Sequence, residues 1–208
     1  MPESDHSTSA LEVPLFPLST VLYPGGPLVL RVFEARYLDM VSRCMREQSQ
    51  FGVVAIARGE ETEVSSFYQT GTLAKIVDWY QEKEGILGVV AVGCGRFEVE
   101  SAWVQEDRLN VARVRFLDDE SSAPVPERYT YMAELMATII DQLGDQYALI
   151  DRRFDSASWL GFRFAEILPL SLDEKQQHLE SNDAVGRLAS LAPVLNALSV
   201  EGDKPEIL

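Results

Sequence analysis

The sequence is poor in basic residues for its length. Its 208 residues include 18 Lys and Arg against 33 Asp and Glu, which gives a formal net charge of -15. A nucleic-acid site needs a basic face that displaces counterions from phosphates, and neither half of this chain has a basic balance. We therefore expect no nucleic-acid partner.

Cysteine is scarce, and long apolar runs are missing. Cys44 and Cys94 are far apart in the sequence and form no CxxC or metal-binding spacing, so we expect two packed thiols in a reducing compartment. No stretch of about 18 uncharged apolar residues is present, and the first ten residues do not have the pattern of a signal peptide. These features predict a cytoplasmic protein that does not span a membrane.

The motifs of common enzyme classes are missing as well. The sequence has no GxxxxGK[ST], HExxH or GxSxG, and its two histidines, His6 and His178, lie in polar segments. Gly93-Cys94-Gly95 is only half of a dinucleotide fingerprint, in a strand context. The acidic runs at 60–63 and 118–120 lack the spacing of a calcium loop and indicate solvated charge. We expect no catalytic residue, no metal and no cofactor.

The prolines near the N-terminus predict extended structure at the margin of a sheet. Val13–Leu18 contains two prolines, which lack a backbone donor, so we expect an edge strand or extended leader and not a central strand. Pro24-Gly25-Gly26-Pro27 has the composition of a turn, and Leu28–Phe33 after it is typical of a strand. A helix is predicted from Glu34, with one apolar face formed by Tyr37, Met40, Val41 and Cys44.

The remainder of the first half is rich in strand patterns. The segments 73–84 and 86–100 predict a long hairpin with Gly85 at positive φ, and 110–116 alternates with a period of two. Gly88, Gly93 and Gly95 predict bends or bulges, as a closing barrel requires. About six strands with one inserted helix indicate a small, partly closed antiparallel or mixed barrel within an α+β fold.

A change in composition predicts a boundary after the barrel. Residues 119–127 are acidic, small or proline, so we interpret them as a linker between a barrel domain at 11–118 and a helical domain at 128–200. Ser171 to Glu174 matches a capping box, and Pro193 predicts a kink in the last helix. The ends, 1–10 and 201–208, are predicted to be a disordered leader and tail.

A series of motifs resembles the N-terminal, substrate-recognition domain of Lon-type ATP-dependent proteases. They are PLFPL at 14–18, YPG at 23–25, FEARYL at 33–38, FGVV at 51–54, GTLAKI at 71–76, GRF at 95–97, LPLS at 168–171 and EKQ at 174–176. The resemblance covers nearly the whole chain. It implies a six-stranded PUA-like pseudo-barrel followed by an all-α helical bundle, and similar domains in cereblon and RING-type ligase adaptors recognise other proteins.

The same resemblance implies no peptidase activity. A full Lon protease carries an AAA+ ATPase module and a Ser-Lys peptidase module after this region, and neither is found in these 208 residues. We therefore expect a stand-alone substrate-binding domain without enzymatic activity.

The first candidate binding surface is the tip of the long hairpin. Adjacent strand residues face opposite sides, so we expect one of Trp79 and Tyr80 to point outward. Trp103 is expected on the neighbouring strand path. Exposed aromatic residues are favoured at protein interfaces, which makes this hairpin a candidate contact with a partner.

A groove between barrel and bundle is the second candidate, because clefts between domains are common binding places. We expect it to be lined by Tyr23, Pro24, Pro27 and Trp159. The motif residues at the strand-to-helix corner are interpreted mainly as structural, with client contact as the alternative. There Glu34 and Arg36 are expected to form ion pairs, and Phe33 and Tyr37 to pack.

The leading hypothesis is a protein-binding module for exposed apolar or extended segments of client proteins, with a protease or chaperone as a candidate associate. The alternative is a small-molecule or peptide-sensing pocket on a PUA-like barrel. An RNA-binding protein and a free-standing peptidase are the less favoured classes, because the chain lacks a basic face for the first and a recognisable nucleophile-base pair for the second.

Overall fold

The computed structural model describes residues 11–60, 63–120 and 123–202. The expectations for the leader 1–10, for His6 and for residues 203–208 of the tail lie outside these ranges, whereas residues 201 and 202 of the predicted tail belong to the last helix. The strands are β1 (Leu11–Leu18), β2 (Pro27–Val32), β3 (Phe51–Glu60), β4 (Glu63–Gln81), β5 (Leu87–Val104) and β6 (Asn110–Phe116). The α-helices are α1 (Ala35–Glu47), α2 (Thr130–Leu143), α3 (Ala157–Ile167), α4 (Leu172–Glu180) and α5 (Ala184–Gly202).

The six strands form one mixed sheet that closes on itself. The order is β2-β5-β4-β3-β1-β6, and an additional pairing joins β6 back to β5. The first half of β5 pairs with β2, and its second half, from Phe97 onward, pairs with β6. The expected six strands, the helix inserted between β2 and β3 and the α+β class are confirmed.

The expectation that the proline-rich segment avoids the interior of the sheet is wrong. β1 lies between β3, to which it is parallel, and β6, to which it is antiparallel. Its first half, with Pro14, pairs only with β6, and its second half, with Pro17, pairs only with β3; the two pairings share just Leu15. Each proline therefore stands where the strand has one bonded edge, and its missing donor can face the unpaired side.

The glycines of the β4–β5 hairpin have different structural roles. Gly85 at the tip has φ +77, as predicted. Thr72 pairs with Arg96 and Ala74 with Gly93, so Cys94 and Gly95 together oppose one residue and form a bulge. The bend expected at Gly88 is not found, because its pairing with Tyr80 is regular. A Cβ atom at Gly88 would overlap the Tyr80 ring, so close packing of that ring accounts for this glycine.

Helix α1 covers one end of the closed sheet. Its buried face is Tyr37, Met40, Val41 and Cys44, as predicted. These side chains pack with sheet residues such as Phe16 and Phe51 in one apolar cluster. The helix ends at Gln48, whose left-handed conformation (φ 53) lets its N–H bond the Cys44 carbonyl.

The helices after residue 127 share a core with the sheet. Val21, Tyr23 and Ala55 belong to the same buried cluster as Met132, Met136, Leu160 and Phe164, among others. The capping box at Ser171 and Glu174 is confirmed, and Ser156 caps α3 by accepting the Trp159 N–H. None of the helices in the described ranges has the length and apolar character needed to cross a membrane.

Candidate functional site

The YPGG segment forms a tight turn that joins the sheet to the helices. Gly26 N–H donates to the Tyr23 carbonyl (3.0 Å), with Pro24 and Gly25 between them and Gly25 at φ +70. Proline followed by a residue of positive φ is the arrangement of a type II turn. Backbone bonds from Gly25 N–H to Gly93 O and from Gly93 N–H to Gly26 O, both 2.8 Å, hold the turn against β5.

A cleft of about 590 Å³ lies between this turn, the sheet and the helices. We call it the sheet–helix cleft. Its lining includes Pro24 and Gly25 of the turn, Lys75 and Val77 of β4, residues 93–96 around the β5 bulge, Asp119, Glu120, residues 149–151, and Trp159 and Phe162 of α3. The cleft corresponds to the groove expected from the sequence, although only part of the expected lining is present.

Two of the four residues expected in the groove line it. Pro24 and Trp159 do so. The expectation is wrong for Tyr23 and Pro27. Tyr23 is fully buried, where its hydroxyl donates to the Lys175 carbonyl (2.7 Å) and its ring packs 5.4 Å from that of Phe162. Burial raises the pKa of Tyr23 above its ordinary value, so this hydroxyl is a neutral structural donor.

A buried charged group lies behind the turn. Arg163 Nη2 forms an ion pair with Glu166 Oε2 (2.9 Å) and donates to the Pro24 carbonyl (3.3 Å), while Tyr147 donates its hydroxyl to the other Glu166 oxygen. Burial raises the pKa of Glu166, although Arg163 and Tyr147 oppose the effect. A Cβ atom at Gly26 would collide with Glu166 and Arg163, so only glycine allows this close approach.

A second buried charge network forms another wall of the cleft. Arg187 donates to both carboxylate oxygens of Glu120, to the Ser181 carbonyl (2.7 Å) and to the His178 carbonyl (3.0 Å). Arg96 donates to the carbonyls of Leu179 (2.8 Å), Ser181 and Asp118 and to the Asn182 side chain (2.6 Å). Two arginines thus satisfy the carbonyls at the end of α4 and tie the inter-element segments to β5.

The corner residues are divided between structure and surface. Arg36 pairs with Glu34 (2.8 Å) and donates to the Arg108 carbonyl (3.0 Å), which fixes the start of α1 against the β5–β6 turn. Tyr37 is buried and stacks on Phe16 with ring centroids 4.0 Å apart. The packing expected for Phe33 is wrong, because this residue is 65% exposed.

The aromatic residues of the hairpin surface differ from expectation. Trp79 is 53% and Tyr80 43% exposed, so both reach solvent where one was expected. The register shift between Ile76 and Asp78 lies just before them and alters the simple alternation of faces. Trp103 is exposed but lies 14 residues along β5 from Val89, the partner of Trp79. Trp103 therefore belongs to a different part of β5 from the residues that pair with Trp79 and Tyr80.

The sequence interpretation missed two buried arginines that lie behind the lining of the cleft. Arg163 and Arg187 have side chains with no exposed area, and each stands within an otherwise apolar helix face. In α5 the buried residues Ala184, Leu188 and Leu191 set a helical stripe that also contains Arg187. A charged residue at a core position of a helix was the available signal, since such a group needs buried partners.

Within the described residues no group of three His, Cys, Asp or Glu side chains is placed to hold a metal ion. Both cysteines are free; Cys44 is buried and Cys94 half-buried in the bulge. Burial raises the pKa of each thiol, which disfavours the reactive thiolate form.

Comparison with known proteins assigns the chain. The family model of the ATP-dependent protease La (LON) substrate-binding domain matches residues 12–197. The chain belongs to this family. The chain is 27% identical over 194 residues to Lon protease of Anaeromyxobacter dehalogenans, and this covers 88% of the chain and 23% of that protein. It is also 31% identical over 115 residues, 53% of the chain, to protein cereblon of Xenopus tropicalis, covering 25% of that protein.

Solved structures of LON domains match over most of the chain. The Lon N-terminal domain protein from Xanthomonas campestris is 32% identical with a TM-score of 0.72, covering 88% of this chain and 98% of that one. The N-terminal domain of the Mycobacterium avium complex Lon protease, at 17% identity and TM-score 0.62, shows the shared fold alone. The chain thus spans about a quarter of the length of the Lon proteases it matches, and the predicted family is confirmed.

Proposed function

We propose that this chain binds client polypeptides without acting on them chemically, and that the sheet–helix cleft is where it holds them. The observation that carries the proposal is an accessible cleft of about 590 Å³ between sheet and helices, in a chain whose family is that of a substrate-binding domain. Clefts at the junction of two structural layers are common binding places. In this proposal the closed sheet is a PUA-like pseudo-barrel and the helices are a bundle docked on it.

The surface of the cleft suits an extended peptide. Val77 and Leu149 are exposed apolar residues on its lining, which supply area for client side chains. Gly95 in the β5 bulge has open space on its side-chain face, so a peptide backbone can approach closely there. Charged residues of both signs, Lys75, Arg153 and Asp151, also line the cleft and provide polar contacts.

A non-enzymatic function agrees with the chemistry of the cleft. Its one thiol, Cys94, has a raised pKa, and its buried carboxylate, Glu120, is engaged by Arg187. Cys94 and Glu120 therefore contribute to packing and ion pairing. Their engagement supports a function in binding, without covalent chemistry. We further propose that the protein works in the cytoplasm beside a protease or chaperone, and that nucleic acid is not its ligand because the chain carries a net charge of -15.

One substitution on the cleft tests the proposal. Leu149 is 52% exposed, so Leu149→Asp should leave the fold intact while placing a charge in the apolar part of the cleft. We expect the affinity for a fluorescently labelled, unfolded apolar peptide to fall by about tenfold, measured by anisotropy, since burying an unpaired charge is costly. The matched control is Leu198→Asp, because Leu198 is 40% exposed and does not line the cleft.

Equal peptide affinities for the wild-type chain and Leu149→Asp would refute the assignment to the cleft. Peptide binding that weakens steeply with salt would contradict the apolar character of the interaction. The partners that the wild-type chain and Leu149→Asp capture from native cytoplasm can then be compared. A protease or chaperone that uses the cleft should be captured by the wild-type chain and not by Leu149→Asp.

A small-molecule pocket is the second candidate function. The volume of about 590 Å³ falls within the range of roughly 300–1,000 Å³ that is common for small-molecule sites. Native mass spectrometry of protein purified from its source distinguishes the candidates. A retained low-mass ligand, lost in Leu149→Asp and blocking peptide binding, would favour the small-molecule pocket.

A further inference from the structure

A set of buried hydrogen-bond donors lies behind the Gly25 turn without acceptors. Trp159 Nε1 and Arg163 Nε and Nη1 are closed to solvent and have no hydrogen-bond partner among the described residues. Both side chains are more than nine-tenths buried. Glu166 Oε2 is also without a hydrogen-bond partner, but it lies against Arg163 Nη2 and not against Nη1 or Trp159 Nε1. Buried donors are nearly always satisfied, so these two nitrogens indicate a place for an oxygen atom from outside the chain.

Gly25 sets the position of that place. A methyl group built on Gly25 would lie 3.7 Å from Arg163 Nη1 and 3.8 Å from Trp159 Nε1, which are ordinary van der Waals contacts. The absent side chain of Gly25 therefore faces both donors. Gly25 and Trp159 also line the sheet–helix cleft, so this donor pair lies directly beside it.

The charge at this place suits an oxygen acceptor. Arg163 Nη2 is already occupied by Glu166 and by the Pro24 carbonyl, whereas Nη1 remains available. The Arg163 guanidinium and the Trp159 indole can only donate hydrogen bonds, which rules out cationic groups as the direct partner. A planar carbonyl or carboxylate oxygen has the lone pairs to accept from two donors at once.

We propose that Trp159 Nε1 and Arg163 Nη1 form an oxygen subsite of the cleft, which binds one carbonyl or carboxylate oxygen of the client polypeptide. This inference rests on the proposed function. Both nitrogens are covered in the present conformation. Entry of the oxygen therefore requires the Gly25 turn, which two backbone hydrogen bonds to Gly93 hold against β5, to shift away from α3. The backbone of a bound peptide is thereby anchored independently of its sequence, as a binder of diverse clients requires.

Two variants remove the subsite in different ways. Trp159→Phe deletes one donor and keeps an aromatic ring, and we expect it to weaken peptide binding by about three- to tenfold, the effect of one hydrogen bond. Gly25→Ala places a methyl group against both donors, and we expect a loss of about tenfold or more. Its matched control is Gly85→Ala: Gly85 has a similar φ (+77), so the backbone strain is comparable, but no atom lies near its side-chain position.

The probes are labelled apolar peptides of one sequence, made with a free or an amidated carboxyl terminus. One supporting result is that Gly25→Ala and Trp159→Phe bind both peptides more weakly, while Gly85→Ala binds them like the wild-type chain. The partner of the subsite is then an internal carbonyl. A loss confined to the free-acid peptide supports the subsite with the chain-terminal carboxylate.

Failure of the subsite and failure of the proposed function give different results. Suppose that the wild-type chain binds the peptides and that Leu149→Asp lowers the affinity, whereas Gly25→Ala and Trp159→Phe do not. The two donors then hold no client oxygen, and the subsite is refuted while the proposed function stands. If the wild-type chain binds neither peptide, the proposed function is overturned and the subsite with it.

Discussion

The buried ion pair between Arg187 and Glu120 offers a sharp test of how the helices are held to the sheet. Neither side chain has appreciable exposure, at 0% and 2%. Arg187 also donates to the carbonyls of Ser181 and His178, and its guanidinium carbon lies 3.9 Å from the centroid of the Phe162 ring. The perturbation is Arg187→Met, which keeps an unbranched apolar stem and removes the charge.

The expected cost follows from what the substitution leaves behind. Glu120 would remain buried without its cation, the His178 carbonyl would lose its Arg187 donor, and the Ser181 carbonyl would keep only Arg96. Removing one partner of a buried pair costs about 3–5 kcal/mol, mainly because the other charge is stranded. For a chain of this size about 2–4 °C of Tm corresponds to each kcal/mol, so the melting temperature should fall by about 6–20 °C.

Urea unfolding measures the free energy directly, and an unchanged m-value shows that stability alone is affected. Glu120→Gln and the double variant complete a double-mutant cycle. The double variant should be more stable than the sum of the two single losses implies, by about 1–3 kcal/mol, because it leaves no unpaired charge.

A surface ion pair provides the matched control. Arg31 pairs with Glu82 at 2.8 Å but is largely exposed, so Arg31→Met should cost less than about 1 kcal/mol. If Arg187→Met were as mild as Arg31→Met, the argument that buried arginines fasten the helices to the sheet would be wrong.

Two further predictions concern packing and pH. Gly93→Ala should lower the free energy of unfolding by about 1–3 kcal/mol, because a Cβ atom there overlaps the Tyr23 carbonyl, whereas Gly95→Ala, with open space, should change it by less than about 0.5 kcal/mol. Equal losses in urea unfolding would contradict this contrast. Burial, with the nearby charge of Arg187, lowers the pKa of His178 below its usual 6.5. The unfolded chain then binds the proton more tightly, so stability is complete above pH 6.5 and is lost as the pH falls towards the lowered pKa. His178→Gln should remove this loss in a pH series of unfolding curves. The reasoning is refuted if the free energies of unfolding of His178→Gln and the wild-type chain differ by the same amount at every pH.

Local patterns in the sequence were sufficient for most elements of the fold. The apolar period of α1, the capping box at Ser171 and the turn composition of 24–27 depend on residues that are neighbours in the chain, so physical rules of short range predict them. The same holds for Gly85, because its positive φ follows from the turn between two adjacent strands.

The position of β1 depended on distant strands. The two prolines predicted an edge strand, and they did not reveal that β3 and β6 pair with opposite halves of β1. A closed sheet allows a strand to change neighbours along its length, and the register that decides this comes from contacts far apart in sequence.

The cleft was predicted as a place and not as a chemical environment. The sequence determined that an apolar, acidic chain folds into strands followed by helices, because hydrophobic periodicity and turn residues act locally. Only the tertiary structure brought Gly25 against Trp159 and Arg163, and Arg187 against Glu120. These charged and donor groups are buried only in the packed interior. Because they have lost their contact with water there, each of them depends on a hydrogen-bond or ion-pair partner.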